Sequence, residues 1–266
     1  MFPQPLSAAA THAAAIKKRI LVIMPFFLQL HCMSVEPQRN LRVLFALLAL
    51  CAPLPAPPQS APAPTHPSTG RPIAPVMGMG GAPWLDRSER QKQENPARAI
   101  ALLGLRPGMN VADVGAGSGY YVERIAPLIA PGLVYANDIQ PGMLRLLRAR
   151  MDHAGLRNYR AILGDPSDPH LPGNEMDLVL LVDVYHELSE PRAMLAHIRR
   201  ALKPSGRLVL LEYRKEDPSI PIRPDHKMSI REVRAELEPE GFTLLHAISD
   251  QLPWQHLLIF TPTQPR

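Results

Sequence analysis

Apolar positions along this chain alternate between short, nearly continuous runs and longer stretches with helical spacing. Residues 111–114 form a short apolar run interrupted by Asp113, and Gly115, Gly117 and Gly119 follow at once. That pattern reads as a buried strand breaking into a tight turn that opens a helix over Tyr120, Tyr121, Val122 and Ile125. Residues 133–138 read as a second strand ending in Asp138. Pro141 suits the first turn of the next helix, whose apolar face is Met143, Leu144, Leu146 and Leu147. A third strand, Tyr159–Leu163, runs into Gly164 and Asp165. Residues 177–183 are almost wholly apolar, as in a strand buried on both faces of a parallel sheet. Ser189 is expected to cap the following helix, with Met194, Leu195, Ile198 and Leu202 on one side and residues 203–206 as its stop. Residues 207–213 form a fifth strand. Ser229 and Glu232 have capping-box spacing ahead of Ile230, Val233 and Leu237, and Gly241 ends that helix. Residues 242–248 and 256–261 read as two last strands. Between Asp165 and Asp177, Pro166, Pro169, Pro172 and Gly173 leave room for one helical turn or none. Strands that alternate with helices predict an α/β domain.

The strand ends carry the candidate chemistry. Gly115 and Gly117 let backbone amides approach a ligand closely, and the helix start offers free N–H groups to an anionic ligand group. A dinucleotide fold would use the same turn, but its G-x-G-x-x-G spacing puts the third glycine at position 120, which is Tyr120. Asp138 lies 23 positions after Gly115, near the spacing of a ribose-binding acid. Ile139, next to it, is placed to cover an adenine face. The fourth strand delivers Asp183, Tyr185, His186 and Glu187 to the carboxyl edge of the sheet, where open α/β sheets bind ligands.

An acidic residue followed by G-x-G-x-G, here Asp113 to Gly119, resembles motif I of the class I S-adenosylmethionine-dependent methyltransferases. The run LKPSGRLVLLEY at 202–213 resembles the segment of that family that joins a helix to strand five. The resemblance covers most of residues 95–262. It implies a Rossmann-like seven-stranded mixed sheet with helices on both faces and the last strand antiparallel. It implies S-adenosylmethionine as cofactor, with Asp113, Gly115, Ala116, Gly117 and Gly119 holding its methionine part. Asp138 and Ile139 would hold the ribose and adenine, Gly164 and Asp165 the adenine amino end, and Asp183 would lie beside the reactive sulfur. For Asp165 a plain turn role stays open, because Gly-Asp-Pro is good turn chemistry.

Methyl transfer from a sulfonium needs orientation and exclusion of water, and a base only if the acceptor must lose a proton. His186 is the candidate base and Tyr185 its neighbour, with a backbone-bonded structural histidine as the alternative. Glu212 and Tyr213 are candidate acceptor-pocket residues. Trp84 and residues 87–93 are either a lid or a packing arm. His226, Trp254 and His256 either line the acceptor side or pack, and Pro218, Pro221 and Pro224 suggest a loop of fixed path that shapes the pocket. No cluster shows metal-ligand spacing, so no metal is expected. The expected acceptor is a small or lipid-like molecule. The other readings are an NAD(P)-dependent oxidoreductase, against which Tyr120 argues, and a non-catalytic donor-binding envelope protein.

Composition changes the picture in three places. The net charge of +5 suggests nucleic acid, but residues 1–80 hold six basic and one acidic side chain, so residues 81–266 are neutral. With 5% aromatic residues, no nucleic-acid partner is expected. The two cysteines, Cys32 and Cys51, both precede the domain, which excludes a disulfide, thiolate chemistry and a cysteine-held cluster within it. Residues 53–75 contain nine prolines, an extended linker. Before it, Lys17, Lys18 and Arg19 precede one apolar run, and Arg39 and Arg42 precede another. The second unit resembles a secretory signal, of ordinary length if translation starts at Met33. The expected organisation is therefore a signal-like or anchor segment at 1–52, a proline-rich linker at 53–80 and a methyltransferase domain at 81–266. Envelope association through the N-terminal segment is expected, with a cytoplasmic enzyme as the alternative.

Overall fold

The computed structural model describes residues 64–263. Eight strands occur among them: β1 (Val111–Val114), β2 (Val134–Asp138), β3 (Tyr159–Leu163), β4 (Met176–Val182), β5 (Leu202–Arg214), β6 (Lys227–Met228), β7 (Phe242–Ile248) and β8 (Gln255–Pro262). Seven run in the order β3-β2-β1-β4-β5-β8-β7, and the two-residue β6 pairs with the end of β5. The first five in that order are parallel, and β8 lies antiparallel between β5 and β7. The seven-stranded mixed sheet is as expected. The helices are α1 (Ala82–Leu85), α2 (Arg90–Gln93), α3 (Pro96–Leu102), α4 (Tyr120–Ile129), α5 (Pro141–His153), α6 (Pro191–Ala201) and α7 (Ile230–Leu237).

The twofold period of the strands sorts the core into two layers. Val111, Val134, Leu178, Leu180, Val209 and Leu257 face α3, α4 and α5. Ala112, Val114, Val179, Leu181, Leu208, Leu210 and Leu258 face α6 and α7. Both faces of the central strands are covered, which is why their sequences are apolar without alternation. Strand order reverses at β1, which pairs with β2 on one side and β4 on the other, so the crevice beyond its carboxyl end is the binding position of this architecture.

Several boundaries differ from expectation. Glu190, not Ser189, is the N-cap of α6, because Pro191 takes the first helical position. Leu202 begins β5 instead of closing α6. No helix forms between Asp165 and Asp177, where the prolines deny the backbone its donors. The capping box of Ser229 and Glu232 is present, with each side chain bonded to the other residue's backbone.

The largest difference concerns the expected linker at 53–80. Residues 64–74 form a small strap closed by a bridge between Thr65 and Pro72, and Ile73 and Ala74 are buried. Arg71 is 6% exposed and makes a two-pronged ion pair with Glu236 of α7 at 2.9 and 3.0 Å. Proline content argues against regular structure but not against packing, and a partner 165 residues away is invisible to composition. The signal-like units at 17–30 and 39–54 lie outside the described residues. Among the described residues no helix is long and apolar enough to cross a membrane.

Candidate functional site

The glycine turn after β1 is held from two sides. The amides of Gly115 and Ala116 both donate to the Asn137 carbonyl, at 2.9 and 2.8 Å. The Gly117 amide donates to Asp138 Oδ2 at 2.9 Å, and the Gln140 amide to Asp138 Oδ1 at 2.8 Å. The Asp138 carboxylate is thus fixed in direction at the end of β2. Burial raises its pKa, and those amide bonds oppose the rise. Ile139 beside it leaves a large apolar side chain 37% exposed, at the position expected to cover adenine. A Cβ on Gly119 would come within 2.9 Å of Leu147, so this glycine admits α5 against the start of α4. Gly117, at φ +54°, lies under Leu85 of α1.

Asp113 is 2% exposed in β1. Burial pushes its carboxyl up to about 7, Arg90 pulls it down, and the Asp138 charge adds to the rise. Asp183 follows β4 in a left-handed conformation, φ +53°. Its Oδ2 accepts a 2.8 Å bond from Gln255, while its buried Oδ1 has no hydrogen-bond partner. Burial and the nearby Glu94 and Glu212 raise its pKa well above the usual carboxylate range. Asp165 closes a turn through one of its carboxylate oxygens. Its Oδ1 accepts from the Ser167 amide and hydroxyl and from the Asp168 amide, at 2.8, 2.7 and 2.8 Å, and its Oδ2 faces His170. The bonds from Ser167 and Asp168 hold its pKa at about 2. Gly164 has no room for a side chain beneath Asn137.

On the far side of β4 the expectations change more. Tyr185 is fully buried in the core layer under α6 and α7, and Arg71 stacks over its ring. It is a packing residue and does not orient His186. His186 is 2% exposed, so it is not an open base. Its Nδ1 lies 2.6 Å from Glu212 Oε2 and its Nε2 3.2 Å from His226 Nδ1. Despite desolvation, Glu212 and the neighbouring carboxylates raise its pKa. Glu212 is wholly buried, bonded to His186 and to the Tyr185 amide, and lines no open pocket. Tyr213 donates to Glu94 at 2.7 Å. His256 is buried opposite Glu212 in β8, and its ring nitrogens have no partner. Glu187 is mostly buried, accepts a 3.3 Å bond from the Met77 amide, and is pushed up to about 7 by burial.

Residues 77–94 pack as an arm over the donor crevice. Arg87 and Arg90 both clasp the buried Glu94, each at 2.5 Å. Arg90 also lies over the rings of Tyr120 and Tyr121, and Gln140 bonds the Met77 carbonyl. Trp84 stays 42% exposed and stacks on Arg87.

A family model described as "Methyltransferase domain" matches residues 112–210. A S-adenosylmethionine-dependent methyltransferase from Aquifex aeolicus superposes with a TM-score of 0.66 at 26% identity, over 71% of this chain and all of that one. Residues 112–210 thus match a methyltransferase domain, and the fold is that of S-adenosylmethionine-dependent methyltransferases. It is 34% identical over 117 residues to a ubiquinone/menaquinone biosynthesis C-methyltransferase of Cupriavidus taiwanensis, 44% of this chain and 48% of that protein. It is 31% identical over 111 residues to a protein-L-isoaspartate O-methyltransferase of Pyrococcus horikoshii, 42% of this chain and 47% of that protein. The chain thus spans about half the length of these two relatives.

The domain's cofactor is S-adenosylmethionine, and the residues present fit it. The unpartnered Asp183 Oδ1 and the buried Asp113 carboxyl suit a cationic amino group, Asp138 suits a ribose diol, and Ile139 offers an apolar face. Reading the sequence missed Gln255 and Arg90, which hold or face Asp183 and Asp113 from distant segments. It also missed Gln140, although its place two residues after Asp138 is the spacing of an Asx turn.

Proposed function

We propose that this protein transfers the methyl group of S-adenosylmethionine to a small or lipid-like acceptor. The observation that carries the reading is the Asp138 carboxylate, braced by the amides of Gly117 and Gln140 beside the exposed Ile139 at the point where strand order reverses. A carboxylate pinned this way presents its remaining lone pairs to vicinal hydroxyls without paying to reorganise. Asp113 and Asp183 take the amino acid end of the donor, and the glycine turn lets it lie close to the backbone. Bound there, the sulfonium supplies an activated methyl group. The chain contributes position, and the arm over the crevice excludes water.

The acceptor reading favours an electron-rich ring such as a quinol. The quinone C-methyltransferase relative supports it, and so does the neutral charge of residues 81–266, which gives no attraction to nucleic acid. The basic-then-apolar units before residue 55 support envelope association, a setting in which a lipid-like acceptor is accessible. The test is calorimetric titration of the full chain with S-adenosylmethionine, followed by an assay for S-adenosylhomocysteine release with short-chain quinols. Micromolar donor binding with quinol-dependent release is the expected result. A folded protein that ignores the donor would overturn the reading.

A further inference from the structure

We infer that His186, Glu187 and His226 form a binding site for a divalent transition metal ion of the zinc class, with Glu212 as its supporting carboxylate. Among the described residues these three are the one group of at least three potential ligands whose donor atoms lie within 4.8 Å of one another. His186 Nε2 is 3.2 Å from His226 Nδ1 and 4.0 Å from Glu187 Oε1, and His226 Nδ1 is 3.9 Å from Glu187 Oε1. The point equidistant from the three donors is about 2.2 Å from each, close to the bond lengths of zinc to imidazole and carboxylate. A shift of a few tenths of an ångström would bring them to tetrahedral spacing.

The surroundings match what a metal site needs. His186 Nδ1 sits 2.6 Å from Glu212 Oε2; in the neutral ring a proton held in that bond leaves the lone pair on Nε2, toward the other two donors. A carboxylate behind a ligating histidine fixes its tautomer and ring orientation. The Glu212 carboxylate is itself fixed by the Tyr185 amide. The turn that carries the first two ligands is tied down through its backbone. The His186 carbonyl accepts bonds from the Ala74 amide at 3.0 Å and from Arg71 at 3.3 Å. The Met77 amide holds Glu187. The second turn, Pro224–His226, sets its imidazole edge-on to His186 with ring centres 5.1 Å apart.

A hydrogen bond between the two imidazoles accounts for one of the three separations. It leaves the mostly buried Glu187 carboxylate, which among the described residues accepts one long hydrogen bond from the Met77 amide, aimed between the two rings. A cation explains all three. Three protein donors leave a fourth position open, as in sites where the metal meets a substrate or water and not as in closed structural sites. Metal binding here does not depend on the methyl-transfer reading.

The full chain, stripped with a chelator, is titrated with zinc by calorimetry and with cobalt followed by its visible absorption. One tight equivalent is expected, with cobalt bands of a low-coordinate nitrogen and oxygen site. His226→Ala and Glu187→Gln should each weaken zinc binding at least 100-fold, and Glu212→Gln by 10- to 100-fold. Asp138→Ala, which removes the donor's ribose carboxylate, should leave zinc affinity within threefold. Each variant is checked for an unchanged circular dichroism spectrum. The cobalt spectrum of the wild type tests the ligand set even if a variant fails to fold. Absence of a tight equivalent would overturn the proposal. So would zinc affinity or cobalt bands that persist in folded His226→Ala and Glu187→Gln.

Discussion

The two ends of the binding edge are built by different means. On the donor side, the glycine turn, Asp138 and Gln140 lie within one stretch of chain and hold one another through backbone amides. On the other side of β4, Arg71, Glu94, His186, Glu212, His226 and Glu236 come from separate elements and hold one another through buried charges. A site assembled from neighbours in sequence depends on local geometry. A site assembled from distant residues depends on the whole fold, and losing one partner strands another charge. The donor side should therefore lose affinity before stability when mutated, and the far side the reverse.

The largest expected effect tests the far side. Arg71→Ala leaves Glu236, which is 1% exposed, without its charged guanidinium partner and with neighbours such as Thr69 and His66. Removing one member of a buried ion pair costs about 3–5 kcal/mol, because the other charge stays desolvated. Chemical denaturation should show that loss, and Arg71→Met with Glu236→Leu should recover most of it. Donor affinity measured below the transition should hardly change. A large loss of affinity in the folded variant would break the comparison.

Asp138→Ala makes the opposite case. Donor binding should fall about 100-fold, near 2.7 kcal/mol, with the loss of charge-assisted bonds to the ribose. Stability should fall by only about 1 kcal/mol, since water reaches the freed amides of Gly117 and Gln140. Calorimetry and a melting curve on the same sample check both numbers. Equal losses in the two would mean that Asp138 acts mainly as a brace for the turn.

The same contrast decides what could be read from the sequence. The strands, the capping box at Ser229 and the positions of Asp113, Asp138 and Asp183 were legible because each depends on residues a few places away. Tyr185 and His186 were placed correctly at the end of β4, but their roles turn on Arg71 and Glu212, which are 114 and 26 positions away from them. The strap at 64–74 was hidden for the same reason: its prolines describe the backbone, and its anchor is on α7. Asp165 carries two local readings, and the three donors converging on its Oδ1 account for the turn.

A pH dependence, small over any one pH unit, sharpens the donor side. Asp113 is pushed up to about 7, chiefly by burial. An acid with a raised folded-state pKa binds more protons folded than unfolded, so its contribution to stability is full below the ordinary carboxylate range and is lost as pH rises through about 7. Within that window the ligand-free protein should lose about 1.4 kcal/mol per pH unit from this group. Donor binding should run the other way. A cationic amino group needs the ionised carboxyl, so affinity should rise up to tenfold per unit as pH approaches 7 and then level off. Glu187, also raised to about 7, adds a stability slope of the same sign. The informative measurement is therefore the difference between wild type and Asp113→Asn, which keeps the Glu187 slope and removes the other. If the two proteins show the same pH profile in both stability and donor affinity, Asp113 is not the group that meets the donor's positive charge, and Asp183, with its unpartnered Oδ1, takes that place.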